Sequence, residues 1–190
     1  MARWEPGARE RLVLAAVDLF TEQGYDATTV TQIAERAGVA KSTFFRHFPD
    51  KRELLVAGQA ALGELLTEGI ADAPATATPL EAVAAGLQRA ASMMGPMNRE
   101  IGPRIKAAVA ANAELQERDS LKSVGLAAAM TDALVVRGAP DLHAQLAAEL
   151  GVLAFKRGFD EWLNAEGEPE LTPYISRALE ALRAASAALG

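Results

Sequence analysis

Cysteine is absent from this chain of 190 residues, and histidine occurs at only two positions, His47 and His143. Without cysteine the chain can have neither a disulfide framework nor thiol chemistry. The two histidines fall in different segments, and no serine, carboxylate or metal-ligand spacing converges with either of them. We therefore expect no catalytic site, no metal site and no cofactor.

Long apolar runs are missing as well. No stretch approaches the roughly 18–20 uninterrupted apolar residues of a transmembrane helix. The N-terminus carries Glu5 and Glu10 and has no apolar run of the length found in signal peptides. We therefore expect a cytoplasmic protein without a membrane partner.

Positive charge is in deficit, since the formal net charge is −6 at pH 7. Such a balance is unusual for a nucleic-acid-binding protein. The surplus is unevenly placed, because residues 1–55 hold eight basic and eight acidic side chains and all of the excess lies in residues 56–190. An acidic body behind a locally basic tip weakens nonspecific binding and directs the tip toward a polyanion. The basic residues that gather in the N-terminal part are Arg36, Lys41, Arg46, Lys51 and Arg52.

The stretch TTVTQIAERAGVAKSTFFRHFPDKRELL, residues 28–55, predicts two short helices joined by a turn. Thr29 and Gln32 have the spacing of a capping box at the start of the first helix. Gly38 supplies the turn, since glycine adopts a positive φ without a Cβ penalty and so redirects the chain between two helices. The second helix begins near Ala40. In a helix-turn-helix, the N-terminal residues of the second helix meet base edges in the major groove.

The second of these helices has an inner and an outer face. Phe44 and Phe48, four residues apart, are expected to pack inward against the first helix of the chain. Phe45, Arg46 and His47 then project toward the duplex or its rim. Small and hydroxyl side chains at the start of the helix suit hydrogen bonds to bases or phosphates, and methyl groups can touch the methyl group of thymine.

The next helix is predicted to begin at Asp50, with Glu53 as its capping partner. Lys51 and Arg52 fall in its first turn, where the helix dipole disfavours cations unless a phosphate is bound there. Ordinary interpretations exist for single residues: a solvated face for the two cations, caps for the polar residues at the helix starts, and a structural or exposed role for the histidine. The ordered combination of features favours a DNA-reading device.

At these residues the chain resembles the N-terminal domain of the TetR family of bacterial transcriptional regulators, of the AcrR-like kind. Ala40 stands where the family commonly has Ser or Thr, so one capping or phosphate bond is missing. Phe45 stands where the family usually has Tyr, so a hydroxyl that often reaches a phosphate is missing. The family pattern is met by Thr28, Thr29, Val30, Ile33, Ala34, Ala37, Gly38, Val39, Thr43, Phe44, His47, Phe48, Lys51 and Leu54. The predicted DNA contacts are Thr29, Thr31, Ala40, Lys41, Ser42, Thr43, Phe45, Arg46, His47 and Lys51.

The remainder of the chain is predicted to be helical, and no strand-like alternation competes with this interpretation. An apolar stripe over residues 12–20 predicts the first helix. Further helices are expected at about 80–94, 97–111, 114–136, 141–165 and 172–188. About nine helices in all is the number that the resemblance implies. We therefore predict an all-α fold, with a three-helix DNA-binding head in residues 1–55 and a helical ligand-binding and dimerisation domain in residues 56–190.

A fourth helix is expected to join the head to the body. Its apolar stripe runs from Leu54 to Ile70, and Gly58, Gly63 and Gly69 interrupt it. Each glycine inside a helix costs about 1 kcal/mol relative to alanine. We therefore expect this helix to be only marginally stiff.

The last two predicted helices carry the argument for a dimer. Drawn at about 100° per residue, helix 141–165 places Leu142 and Leu153 on one side and Phe155 and Trp162 nearly opposite. Two apolar faces need two partners, and TetR-like proteins build a two-fold four-helix interface from their last two helices. A helix buried inside one large core is the alternative. The predicted dimer interface comprises Leu146, Leu150, Leu153, Ile175, Ala178, Leu179 and Leu182.

A pocket for a small molecule is predicted within the body. Methionines cluster at the Gly95-Pro96 break, and flexible thioethers can line an adaptable apolar cavity, although such residues also serve as ordinary core. Few charges are placed to pair inside the bundle, which favours an apolar or amphipathic effector. The predicted pocket residues are Leu62, Leu66, Met93, Met94, Met97, Ile105 and Phe155.

The resemblance implies a homodimeric, sequence-specific regulator of transcription that binds a palindromic operator in double-stranded DNA. Two recognition helices would meet successive major grooves about 34–36 Å apart. We expect a repressor that a small effector releases from its operator. An activator, or a DNA-binding partner protein without a small-molecule effector, is the alternative.

Overall fold

The computed structural model describes residues 7–56 and 59–189, which contain helices and no β-strand. This confirms the all-α fold. The helices predicted after residue 79 begin and end within two residues of the expected positions. Ten helical segments are described: α1 (Ala8–Gln23), α2 (Val30–Arg36), α3 (Lys41–His47), α4 (Glu53–Val56), α5 (Gln59–Asp72), α6 (Pro79–Ser92), α7 (Pro96–Ala110), α8 (Ala113–Val136), α9 (Asp141–Leu163) and α10 (Thr172–Ala187).

The segments α4 and α5 occupy the place of the single fourth helix that the sequence predicts, and Gly58 lies outside the described residues. Among the residues that are described, no helix is both long enough and apolar enough to span a bilayer.

The chain divides into two compact units. The first combines the N-terminal residues, as far as 56 in the described chain, with Glu100–Ser120, so it includes α1 to α4, most of α7 and the start of α8. The second contains α5, α6, α9, α10 and the remaining parts of α7 and α8. The sequence did not predict that residues 100–120 join the N-terminal unit.

The first unit is built around α1. Its predicted stripe is buried, and Leu12 and Ala16 have no exposed surface. The inner residues of α2 and α3 pack against it, among them Ile33 and Phe44, which are also fully buried. Leu115 of α8 completes the same cluster at 2% exposure. Full burial of such a side chain stabilises by roughly 1.5–3 kcal/mol.

Helices in the second unit approach each other closely through glycine. A Cβ atom added to Gly69 of α5 would lie 2.6 Å from the Cα atom of Gly86 in α6. Likewise, a Cβ atom added to Gly158 of α9 would lie 2.7 Å from the Cα atom of Ile175 in α10. Gly69 therefore serves as a helix-crossing residue, a role that the sequence did not predict for it.

The two apolar faces predicted for α9 are both present. Trp162 is 2% exposed and its Nε1 donates a hydrogen bond of 2.7 Å to the carbonyl oxygen of Pro169, while Phe155 packs partly buried against the same core. On the other side, Leu142, Leu146 and Leu153 are 76%, 56% and 44% exposed. One face therefore belongs to the protomer core, and the other leaves a row of leucines uncovered in the described chain.

The predicted dimer interface needs a correction in α10. Ile175, Ala178 and Leu179 are between 2% and 4% exposed and pack within the core of their own protomer. Periodicity showed that this face is buried but did not identify what covers it. Leu150 and Leu182 are half-buried.

The predicted pocket residues do not lie together in one described cavity. Met93, the C-cap residue of α6, is 68% exposed, so it does not line an interior site. Ile105 falls in the first unit. Leu62 and Leu66 are buried core residues, while Met94, Met97 and Phe155 are half-buried.

A pocket of about 260 Å³ lies elsewhere in the second unit, and none of the predicted pocket residues lines it. Its walls come from the loop between α5 and α6, the start of α6, the end of α8 and the segment before α9.

Candidate nucleic-acid interface

The helix-turn-helix forms from the local signals in its sequence. The Thr29 hydroxyl accepts a hydrogen bond of 3.2 Å from the Gln32 amide, and the Gln32 Oε1 accepts one of 2.9 Å from the Thr29 amide. These two bonds confirm the predicted capping box of α2. Gly38 has φ of 66°, in the region that favours glycine, and the next amide, Val39, donates to the Ala34 carbonyl at 3.0 Å. The turn that aims α3 is therefore set by Gly38.

The inner face of α3 is fixed by two phenylalanines, as predicted. Phe44 is 0% and Phe48 is 2% exposed, and their ring centroids lie 5.7 Å apart. Ala40 is the N-cap residue and makes no side-chain capping bond. The first turn of α3 is therefore held by the packing of its aromatic residues and by backbone bonds to the Ala40 carbonyl oxygen.

The outer face of α3 carries most of the predicted DNA contacts. Ala40, Lys41, Ser42, Phe45, Arg46 and His47 are exposed together on this short helix and its N-cap, while Thr43 is half-buried. Thr29 and Thr31 are exposed at the start of α2, where the Thr29 hydroxyl is already engaged in its cap. The structure thus gathers hydroxyl, cationic and aromatic side chains on one accessible surface, which we call the α3 tip, comprising residues 40–43 with 45–47.

The basic residues of the N-terminal part are not equally available. Arg36 makes two hydrogen bonds, of 2.9 and 2.8 Å, to the Glu22 carboxylate. The Arg36 guanidinium holds the pKa of Glu22 below its ordinary value. Within the described chain, Lys41 and Arg46 make no ion pair. They are consequently the cations of the α3 tip that can meet phosphates or base edges.

Lys51 has a structural role that differs from its predicted one. Its Nζ donates to the carbonyl oxygens of Tyr25 and Thr28 at 2.7 and 3.0 Å, and lies 3.5 Å from that of Asp26. The same atom is 4.1 Å from the centroid of the Tyr25 ring. An ammonium group has three donors, and here they are directed at the α1–α2 turn of the head. Lys51 is therefore withdrawn from the predicted DNA contacts.

The start of α4 also differs from the prediction. The Asp50 carboxylate accepts hydrogen bonds from the amides of Arg52 and Glu53, at 2.8 and 3.1 Å, so Asp50 caps a helix that begins at Glu53. The Arg52 guanidinium, 2.6 Å from Asp50, is the main cause of a lowered pKa for that carboxyl group. The Glu53 carboxylate accepts from Arg118 at 3.1 Å. Lys51 and Arg52, the two cations predicted to lie near a bound phosphate, are thus both bonded to groups of the protein itself.

Residues 100–120 contribute a support for the head that sequence reasoning missed. Arg104 pairs with Asp18 at 2.6 Å, and Arg52 reaches Glu114 at 3.3 Å. Leu115 is buried in the apolar cluster that α1 forms with α2 and α3. It stands in the charged stretch AELQER, where one leucine gives no apolar stripe.

Tyr25 is a buried residue of the head whose hydroxyl has no hydrogen-bond partner among the described atoms. It is 6% exposed and packs against Phe20 with a centroid distance of 5.1 Å. Burial is the main cause that raises the pKa of Tyr25 to about 12, and the nearby Glu114 carboxylate adds to the increase. The folded head therefore stabilises the neutral phenol of Tyr25 relative to the phenolate.

Comparison with known proteins connects this head to a family. Residues 12–57 match the family model described as bacterial regulatory proteins, tetR family. The HTH-type transcriptional regulator TcmR of Streptomyces glaucescens is 41% identical over 75 residues, which cover 40% of this chain and 33% of that protein. The match thus spans about a third of the length of TcmR.

Two solved structures share the fold of nearly the whole chain. The transcriptional regulator FadR from Bacillus subtilis, in complex with stearoyl-CoA, has a TM-score of 0.57 at 22% identity, covering 90% of this chain and 96% of its own. The SmeT–triclosan complex has a TM-score of 0.59 at 22% identity, covering 94% and 90%. At these identities the likeness establishes the arrangement of helices.

Proposed function

We propose that this chain, whose residues 12–57 match the family model of the tetR family of bacterial regulatory proteins, is a member of that family and a cytoplasmic, homodimeric repressor of transcription. Its N-terminal unit binds a palindromic DNA operator, and its second unit binds a small apolar or amphipathic effector and forms the dimer. The observation that carries this proposal is the α3 tip, an exposed surface whose two cations make no ion pair with any described residue, on a helix whose inner face is fixed by Phe44 and Phe48.

The α3 tip has the properties that reading a major groove requires. In a helix-turn-helix the N-terminal residues of the second helix contact base edges. Ser42 and Thr43 offer hydroxyl groups, and Lys41 and Arg46 offer donors to guanine or to phosphate. Arg46 and Lys41 are exposed and make no ion pair in the described chain. The proposed contacts are Thr29, Thr31, Ala40, Lys41, Ser42, Thr43, Phe45, Arg46 and His47.

The uncovered leucines of α9 support the proposed homodimer. Leu142, Leu146 and Leu153 recur on one side of the helix and are between 44% and 76% exposed. A second copy related by two-fold symmetry would cover the same row on both protomers. Each half of a palindromic operator would then meet one recognition helix, with the two helices about 34–36 Å apart.

An apolar or amphipathic effector suits the interior of the second unit. Its buried cluster consists of hydrophobic side chains, with Leu62, Leu66 and Met130 at 4% exposure or less. Stearoyl-CoA in the FadR structure and triclosan in the SmeT structure are ligands of this kind. The proposed lining consists of the predicted residues that are buried or half-buried in the second unit, between which the effector would open a cavity: Leu62, Leu66, Met94, Met97 and Phe155.

Regulation would follow from a difference in effector affinity between two states of the body. A coupling free energy of about 1–3 kcal/mol would lower operator affinity about 5- to 150-fold. A movement of α5 on effector binding would change the separation of the two recognition helices.

The test begins with selection of duplexes from a randomised library by the purified protein at low salt. We expect one palindromic sequence to be enriched. Lys41→Ala should then lose affinity by about 5- to 150-fold at each half-site, the equivalent of about 1–3 kcal/mol for one lost base contact. Arg183→Ala, an exposed change on α10, is the matched control and should bind as the unchanged protein does. Failure to enrich any duplex would reject the proposal.

The homodimer and the sign of regulation need separate measurements. Leu146→Arg should produce monomers in sedimentation experiments. Operator affinity should fall as well, because each monomer would bind its half-site independently. Transcription in vitro from a promoter that carries the selected operator should fall when the protein is added. An increase in transcription would identify an activator. If neither stearoyl-CoA nor triclosan released the protein from its operator, the protein would respond to a different signal.

A further inference from the structure

We propose that Phe45 recognises a thymine in each half of the operator by apolar contact with the 5-methyl group of that base. This assignment rests on the proposed DNA-binding function and names the chemistry that one side chain reads. It predicts an A·T pair at one fixed position of each half-site, chosen by a methyl group and not by a hydrogen bond.

The first observation is the unusual exposure of the ring. Phe45 is 52% exposed, although apolar surface is normally removed from water. It is the one aromatic residue among the large apolar side chains that lie exposed in the described chain, and the one such side chain in the described part of the N-terminal unit. On the surface proposed to read DNA, a ring this exposed is available for an apolar contact with a bound duplex.

The second observation is that the ring is held in place from beneath. Its centroid lies 5.4 Å from that of Phe44, at an interplanar angle of 80°, which is the edge-to-face geometry that aromatic pairs prefer. Phe44 is itself fully buried and contacts Phe48 in the core of the head. Phe45 is therefore presented on a rigid base, so little conformational freedom is lost when it makes a contact.

The surroundings of Phe45 indicate which partner it meets. Lys41 lies one helical turn before it on the same side, and Arg46 follows it directly. Both are exposed and make no ion pair in the described chain. An apolar ring between two cations fits a surface that has anionic groups around a small apolar group. The major groove offers this combination, because its phosphates flank the thymine methyl, an apolar group that projects into the groove.

The chemistry of phenylalanine narrows the contact further. Its ring has no hydroxyl, so Phe45 can neither donate a hydrogen bond to a phosphate nor exchange one with a base edge. A methyl group is the base feature in the major groove that an apolar side chain can read. Because Phe45 has no hydroxyl, we expect it to recognise a methyl group and to make no hydrogen bond to a phosphate.

The experiment uses the duplex selected by the unchanged full-length protein. Each thymine of one half-site, together with its symmetry mate, is replaced in turn by deoxyuridine, which removes the methyl group and keeps every hydrogen-bonding group. We expect one position at which affinity falls by about fourfold per half-site, the effect of losing one buried methyl group. Phe45→Ala should bind the thymine and uracil duplexes equally.

Two further variants act as controls. Phe45→Tyr keeps the ring and should keep the preference for thymine, and Phe45→Leu tests the same point if the alanine variant does not fold. A flat uracil scan for the unchanged protein would overturn the assignment and leave the proposed function intact. Equal methyl dependence in Phe45→Ala would also overturn it, because another residue would be reading the methyl. Enrichment of no duplex at all would overturn both proposals.

Discussion

Gly86 lies directly against the backbone of Leu66: a Cβ atom added to this glycine of α6 would be 2.5 Å from the Leu66 carbonyl oxygen in α5. Gly69 meets Gly86 at the same crossing. Backbone, unlike a flexible side chain, cannot turn aside to admit a methyl group. The two helices can therefore be this close only while both crossing positions lack a side chain.

Replacement of Gly86 by alanine should accordingly destabilise the second unit, because the helices must move apart. Overpacking of this kind costs about 1–3 kcal/mol, and occasionally more. Gly63→Ala on α5 is the control, since its added Cβ would be an ordinary 3.8 Å from the Leu126 Cδ2. Relief of the helix penalty should make that variant up to about 1 kcal/mol more stable. Urea unfolding distinguishes the two, and equal losses would contradict the crossing argument.

Lys51→Met should destabilise the head by about 1.5–3 kcal/mol, the usual worth of hydrogen bonds from a charged group. The reason is that the carbonyl oxygens of Tyr25 and Thr28 lose their shared donor. Lys41→Met is the matched change on the exposed tip and should stay within about 0.5 kcal/mol while weakening DNA binding. Thermal unfolding followed by circular dichroism measures both. Unchanged stability with lost DNA binding in Lys51→Met would return this residue to the DNA contacts.

Tyr25→Phe should flatten the loss of stability in alkali. The pKa of Tyr25 rises from 10.0 to about 12 on folding. The stability that depends on the neutral phenol is therefore complete below pH 10 and is lost as the pH rises toward 12. At neutral pH the variant should be as stable as the unchanged protein or more so, because the deleted hydroxyl has no partner among the described atoms. Urea unfolding at a series of alkaline pH values measures the effect, with Tyr174→Phe as control. Parallel curves for the unchanged protein and Tyr25→Phe would contradict it.

Leu115→Ala should cost about 2–5 kcal/mol, as deletion of a buried leucine normally does. Leu115 is 2% exposed in the apolar cluster of the head. Leu121→Ala, six residues later on the same helix, removes a side chain that is 60% exposed and should stay within about 0.5 kcal/mol. Calorimetric unfolding of the two variants provides the comparison. A small effect at both positions would show that residues 100–120 do not support the head.

The helix-turn-helix was predictable because its signals are local. The cap of Thr29, the positive φ of Gly38 and the inward pair Phe44 and Phe48 each depend on residues within a few positions of one another. Helix boundaries in the second unit followed from proline and glycine breaks for the same reason. The available cations Lys41 and Arg46 were among those predicted, but the sequence alone did not separate them from their paired neighbours.

What the sequence did not predict depends on residues that meet across the fold. The acceptors of Lys51 are backbone carbonyls of the α1–α2 turn, and backbone atoms leave no mark on a residue pattern. Within its own helix Gly69 is only a weakening residue. Its role at the crossing depends on Gly86, which lies on the next helix and is not part of the same pattern. Ile175 belongs to a real apolar stripe, but a stripe indicates burial without naming the surface that buries it.

The contribution of residues 100–120 has a consequence for protein engineering. A hybrid regulator made by fusing residues 1–56 to a foreign body would carry Phe20 and its neighbours without the leucine that seals them. Asp18 and Glu53 would also be deprived of their arginines. Transferring the intact N-terminal unit into another protein therefore requires two segments of this chain, residues 1–56 and Glu100–Ser120.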